Sequence, residues 1–120
     1  MTKARMNKYS LFAGAVLLSV NTTVFALDAP HSVFIPVIDN AHVFANFTHD
    51  IPAVLNYFTS SSEDKIIDFY EQRFGESIFK ERKRDRLMLT FNNENKTIRV
   101  IISQQNSKRQ VDILVDKTPE

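Results

Sequence analysis

The chain has 120 residues, no cysteine and only two glycines, and its formal net charge is +1. The absence of cysteine excludes disulfides, thiol catalysis and thiolate metal sites. Two glycines cannot build the glycine-rich phosphate loops of nucleotide-binding proteins or the nucleophile elbow of α/β-hydrolases, so these classes of site are excluded as well.

The first 26 residues have the pattern of a secretory signal peptide. Three basic residues precede an apolar run at 11–20, and Val24-Phe25-Ala26 follows as a small-residue cleavage pattern. The apolar run is shorter than the roughly 20 residues of a membrane-spanning helix. We therefore predict cleavage after Ala26 and an exported protein whose mature form has no transmembrane segment.

Removal of residues 1–26 changes the charge of the chain. Three of the 15 basic residues lie there, which leaves 12 basic and 14 acidic residues and a net charge of −2. A net-acidic domain has no overall field that attracts nucleic acid, so we predict no nucleic-acid binding.

Residues 27–52 are predicted to form an irregular arm before the folded domain. Three of the four prolines lie in this arm, and proline interrupts both helices and sheet ladders. Two short extended pieces are expected, around Ser32–Ile38 and His42–Phe47. The arm is rich in apolar side chains, among them Phe34 and Phe44, so we expect it to pack against the domain or a partner.

A strand and a helix are predicted after the arm. Val54–Thr59 alternates as a strand does, and Ser61 or Ser62 then supplies a helix N-cap. Apolar residues at spacings of three and four predict a helix over 62–74, which Gly75 ends as the C-cap. The aromatic residues of these two elements are assigned to the core rather than to a ligand groove.

The period changes to two beyond Gly75. Strands are predicted at 77–83, 87–91, 98–102 and 111–115, with turns at 92–95 and 105–108. One apolar helix face and one apolar sheet face must cover each other. The predicted fold class is therefore α+β, a two-layer sandwich over 53–117 with one main helix on an antiparallel sheet of about four to five strands.

The most conspicuous charged segment is 80–86, where five of seven residues are basic. Such a cluster binds phosphates or acidic protein surfaces; alternatively, it is a solvated hairpin whose charges protect a sheet edge. Strand geometry sends alternate residues of this segment to opposite faces. The candidate partner-binding residues are Arg82, Lys83, Arg84, Arg86, Phe34 and Phe44.

His31, Asp39, His42, His49 and Asp50 are the only set that resembles metal ligands or an acid–base pair. The histidine spacings of 11 and 7 residues match no familiar zinc motif. We therefore predict no metal site, no catalytic residue and no cofactor. A small metal-dependent hydrolase built on these histidines is the rival hypothesis.

The chain combines a strand, the segment Ser-Ser-Glu-Asp-Lys-Ile-Ile-Asp-Phe-Tyr and hairpins that end in Val-Asp-Ile-Leu-Val. This organisation resembles the small exported α+β domain proteins of Gram-negative bacteria, most of which have no known function. The resemblance implies a periplasmic location and transfers no catalytic residue. We predict a non-enzymatic periplasmic binding or adaptor protein with a protein or envelope partner. A further alternative is a binder of anionic envelope surfaces that uses the basic hairpin.

Overall fold

The computed structural model describes residues 32–119, and the predicted signal peptide and His31 lie outside them. These residues form β1 (His42–Phe47), β2 (Ala53–Thr59), α1 (Glu63–Phe74), β3 (Phe79–Lys83), β4 (Arg86–Asn93), β5 (Lys96–Gln105) and β6 (Lys108–Lys117). The strands make one antiparallel sheet in the order β1-β2-β6-β5-β4-β3. In the described part of the chain, no helix is long and apolar enough to cross a membrane.

The predicted two-layer α+β sandwich is wrong. The sheet has six strands instead of four to five, because residues 42–47 of the predicted arm pair with β2 as an edge strand. Strands hold 52% of the described residues and the helix only 14%, so the protein is mainly an antiparallel sheet with one short helix. Pro36 and Pro52 lie outside β1, so neither removes a hydrogen bond from the ladder.

The predicted helix is confirmed, because its signals are local. It was predicted over 62–74 and spans Glu63–Phe74. The Ser62 hydroxyl accepts a hydrogen bond from the Lys65 amide at 3.3 Å. At the other end Gly75 has a φ of 87°, where a side chain would be strained, and its amide donates to the Glu71 carbonyl at 2.9 Å.

One face of the sheet forms the core. The register places Leu55 opposite Ile113, Ile113 opposite Val100, and Val100 opposite Leu89, so a single apolar row crosses four strands. The other buried side chains of this face are Ala53, Tyr57, Thr59, Leu87, Phe91, Ile98, Ile102, Val111 and Val115. Helix α1 covers part of the face with Ile66 and Tyr70, which are fully buried.

The arm covers another part of the same face. Ile35 is buried in the core, and the Val33 amide donates to the Thr48 carbonyl at 2.9 Å. Just before β1, the Thr59 hydroxyl donates to the Asn40 side-chain oxygen at 2.6 Å. The part of the arm that precedes β1 is thus held near both of its described ends, and it covers the core face of the sheet together with the helix.

Two buried tyrosines join the strand, the helix and the arm. The hydroxyls of Tyr57 on β2 and Tyr70 on α1 lie 2.8 Å apart. The Tyr70 hydroxyl also donates to the Pro36 carbonyl at 2.9 Å, so Tyr57 donates to Tyr70 in turn. Both hydroxyls of this network have a partner, and the Pro36 carbonyl that accepts from Tyr70 belongs to the arm.

The tyrosine network predicts a loss of stability at high pH. Burial raises the pKa of both Tyr57 and Tyr70 above the ordinary value of 10.0. The unfolded chain releases these protons above that pH and the folded protein retains them. The free energy of unfolding should therefore stay level up to pH about 10 and then fall, with a slope approaching about 2.7 kcal/mol per pH unit for two groups.

Urea unfolding between pH about 8 and about 11 measures this slope. Tyr70→Phe removes one titrating group and should roughly halve it, although the variant is less stable at neutral pH because the Pro36 carbonyl loses its donor. A wild-type stability that stays level through pH about 11 would contradict the assignment.

Three hairpin turns have two residues each, and each turn begins with a residue at positive φ. These residues are Arg84 at 58°, Glu94 at 60° and Asn106 at 55°. In the turn between β4 and β5, Glu94 has the positive φ although asparagines stand on both sides of it. A two-residue hairpin requires positive φ at its first position whatever the side chain, so turn geometry overrides residue preference here.

Asparagine should stabilise the two turns that begin with Arg84 and Glu94. Arg84→Asn and Glu94→Asn should each raise the free energy of unfolding by up to about 1 kcal/mol, because asparagine tolerates this conformation better. Asn106→Ala should lower it. Asp85→Asn, at the second turn position, serves as the control and should change little. Urea unfolding at neutral pH measures all four, and an equal gain from Asp85→Asn would contradict the backbone explanation.

Candidate functional site

The face of the sheet opposite α1 carries no covering element among residues 32–119, and we call it the open face. Three rows of side chains define it across β2, β6, β5, β4 and β3. The first is Phe58, Gln110, Ser103, Arg86 and Lys83; the second is Asn56, Asp112, Ile101, Met88 and Glu81; the third is Val54, Leu114, Arg99, Thr90 and Phe79.

A β-bulge in β1 adds aromatic side chains to the open face. The register shifts between Val43, which lies opposite Tyr57, and Ala45. The extra residue is Phe44, whose ring stacks on Phe58 with the centroids 4.8 Å apart. Phe44 and Phe47 are 52% and 67% exposed. The β1–β2 side of the open face is therefore an aromatic surface in contact with solvent.

A polar network separates this aromatic surface from the opposite corner. The Asn56 side-chain amide donates to the Asp112 carboxylate across β2 and β6 at 2.6 Å. The Gln110 amide donates to the same oxygen at 2.9 Å. Two donors satisfy this carboxylate, so it needs no cation from the rest of the face.

The opposite corner is cationic. Lys83 and Arg86 lie directly opposite each other on β3 and β4, and within the described range neither side chain has an acidic partner. Like charges in this arrangement destabilise a sheet. Below them is a depression of about 200 Å³ with Met88 and Ile101 as its apolar floor and Glu81 at its side. An acidic group bound here would remove the repulsion between the two cations.

The predicted binding residues lie in different parts of the structure. Lys83, Arg86 and Phe44 share the open face. Strand alternation predicted that the basic residues divide between the two faces, but not that these two cations lie on the same one. Arg82 points to the core side, where its guanidinium donates to the Glu63 carboxylate at 2.6 Å. Arg84 occupies the turn at the tip of the hairpin.

Phe34 lies apart from the open face. It borders a cavity between the arm and the end of α1, on the core side of the sheet, and is 87% exposed. The six predicted residues therefore do not form one site.

Sequence reasoning missed Phe47 and Phe58 as surface residues. A signal for Phe58 was present, because alternation in β2 places it on the same side as Asn56 and opposite to Leu55 and Tyr57. For the orientation of Phe44 there was no such signal, because the bulge that turns it outward is one extra residue in a strand whose pairing with β2 was not predicted.

His42 and His49, the two histidines in the described part of the chain, do not converge. His42 begins β1 and His49 follows its end, so a strand length of roughly 20 Å separates them. Within residues 32–119, no group of three histidine, cysteine or acidic residues is placed to hold a metal ion.

Comparison with protein-family models, with curated proteins and with solved structures finds no match to this chain. The open face itself carries the features that point to a function. Aromatic residues and arginine are enriched at protein interfaces, and exposed apolar patches mark sites of interaction. The open face has both features.

The exposed phenylalanines should contribute little to stability. Phe44→Ser and Phe47→Ser should each change the free energy of unfolding by less than about 1 kcal/mol, because much of each side chain is already in contact with water. Both should lower the fluorescence of a hydrophobic dye bound to the folded protein. Phe91→Ser, in the core, is the contrast and should cost about 3 kcal/mol or more. Strong destabilisation by Phe47→Ser would show that this side of the face is covered.

Proposed function

We propose that the protein is a non-enzymatic binding or adaptor protein that binds another protein through the open face. The observation that carries this proposal is the aromatic surface of Phe44, Phe47 and Phe58, which has no cover in residues 32–119. Aromatic side chains dominate the binding energy of interfaces when a partner excludes water from them. Folding alone does not require aromatic side chains at these positions.

The layout of the face indicates the chemistry of the partner. Phe58 on β2 and Arg86 on β4 lie in one row, three strand spacings apart. At about 4.8 Å per spacing, an aromatic anchor and a cationic corner are about 15 Å apart. A partner segment with an apolar centre and acidic side chains about 15 Å away matches both; a helix of about ten residues has this length.

We also propose that binding takes place in the periplasm, after cleavage near Ala26. The support is the basic, apolar and small-residue pattern of residues 1–26 together with the absence of cysteine, which leaves the folded chain independent of redox conditions. Mass measurement of the protein purified from the periplasmic fraction tests the proposal. A periplasmic protein that begins at residue 27 supports the proposal. It is contradicted if the protein is found in the cytoplasmic fraction with residues 1–26 still attached.

Site-specific photo-crosslinking in the native host tests the proposed surface. A photoreactive phenylalanine at Phe47 should give an adduct with one protein. The same group at Gln72, exposed on α1 and on the other side of the sheet, is the matched control and should give none. Lys83→Glu combined with Arg86→Glu should reduce the Phe47 adduct about tenfold or more, because acidic groups of the partner would then meet acidic residues.

The outcomes separate the alternatives. Equal adducts at Phe47 and Gln72, or no adduct at either position, would contradict the proposal. If the charge reversal leaves the adduct unchanged, the aromatic surface is still the binding site, but the proposal that the partner is acidic is wrong.

Binding to anionic envelope lipid is the second candidate function. It is favoured by the cationic corner, where Lys83, Arg84 and Arg86 all lack an acidic partner in the described part of the chain. Vesicles with anionic headgroups should then bind the protein at low salt and release it as salt is added. Binding that is absent, or insensitive to both salt and the charge reversal, would remove this candidate.

A further inference from the structure

A cavity of about 200 Å³ lies on the core side of the sheet, between the start of the described arm and the end of α1. Its floor is formed by Ile98, Ile113 and Val115 of β5 and β6, and its sides by Ile35 and Phe74. All five side chains are apolar. The cavity is present because two separate elements, the arm and the helix, cover this face and leave a gap where they diverge.

Two lysines lie beside the mouth of the cavity. Lys96 begins β5 and borders the cavity, and it lies directly opposite Lys117 on β6, which borders the adjoining depression. Both lysines lie two residues beyond the cavity floor, on the same face of the sheet. Within residues 32–119 neither side chain has an acidic partner, and Glu94 in the preceding turn is the acidic residue that borders both depressions. Two lysines beside one carboxylate favour a negatively charged headgroup at this end of the cavity.

We propose that this cavity binds a small aliphatic carboxylate, with its hydrocarbon chain over Ile98, Ile113 and Val115 and its carboxylate at Lys96 and Lys117. The volume of the cavity limits the length of the ligand's hydrocarbon chain. An engineered apolar cavity of about 150 Å³ holds benzene, so about 200 Å³ suits a chain of about six to eight carbons. The site is on the opposite side of the sheet from the open face, so it is independent of the proposed protein partner.

Phe34 has a role in this arrangement. Its ring lies at the mouth of the cavity and is 87% exposed, although an aromatic side chain gains from burial. An aliphatic chain in the cavity offers this ring an apolar surface to pack against. Ligand binding therefore accounts for an exposed aromatic side chain that the fold itself does not use.

Calorimetric titration of the full-length protein tests chain length and charge together. From butanoate to octanoate the affinity should rise about fourfold for each methylene that enters the cavity, and it should stop rising once the cavity is full. Hexanoate should bind more tightly than hexanol and hexylamine. Lys96→Gln and Lys117→Gln should each lower the affinity for hexanoate about two- to fivefold. Lys108→Gln, at the other end of β6, is the matched control and should leave this affinity unchanged.

A second pair of measurements locates the site. Val33→Phe places a larger side chain at the cavity wall and should abolish hexanoate binding. If this variant fails to fold, the amide chemical shifts of the wild-type protein locate the site instead. Hexanoate should change the shifts of Ile98, Ile113 and Val115 and leave those of the open face unchanged. The proposal is overturned if the affinity does not depend on chain length, if hexylamine binds as well as hexanoate, or if the shifts lie elsewhere.

Discussion

The buried pair of tyrosine hydroxyls is the interaction on which the arrangement of the molecule depends. Tyr57 belongs to the sheet and Tyr70 to the helix, and the Tyr70 hydroxyl donates to the Pro36 carbonyl of the arm. A buried hydroxyl without a partner costs about 1–3 kcal/mol, so the helix and the arm must lie on the same face to satisfy both groups. That requirement leaves the other face of the sheet without a cover from residues 32–119.

The sequence predicts those parts of the fold whose signals are local. The helix begins and ends at residues whose capping role depends only on neighbours in the chain. Ser62 was one of two predicted N-cap residues, and Gly75 was the predicted C-cap. Strand β1 could not be predicted as part of the sheet, because an edge strand needs one paired neighbour and its surrounding prolines suggested an irregular segment. The predicted fold class was wrong for this reason. Part of the arm joins the sheet as β1, and the part before β1 covers the core face together with the helix.

The candidate site was predictable in part for the same physical reason. Alternation along β3 separates Arg82 from Lys83, and the structure shows this separation. Which of the two faces stays open depends on where the arm packs, and that is decided by a contact between Tyr70 and a residue 34 positions away. The cavity beside Phe34 had no sequence signal, because it is a gap between two elements rather than a motif.

Adjacent residues of one strand meet two different environments, a covered core and the open face. The chain has no cysteine, so single cysteines report this directly. Arg99→Cys and Val100→Cys are neighbours on β5 and point to opposite faces, with Arg99 exposed and Val100 fully buried. In the folded protein, a thiol reagent should label position 99 at nearly the rate of the unfolded chain and position 100 at least about a hundredfold more slowly. Similar labelling rates at both positions would contradict the account.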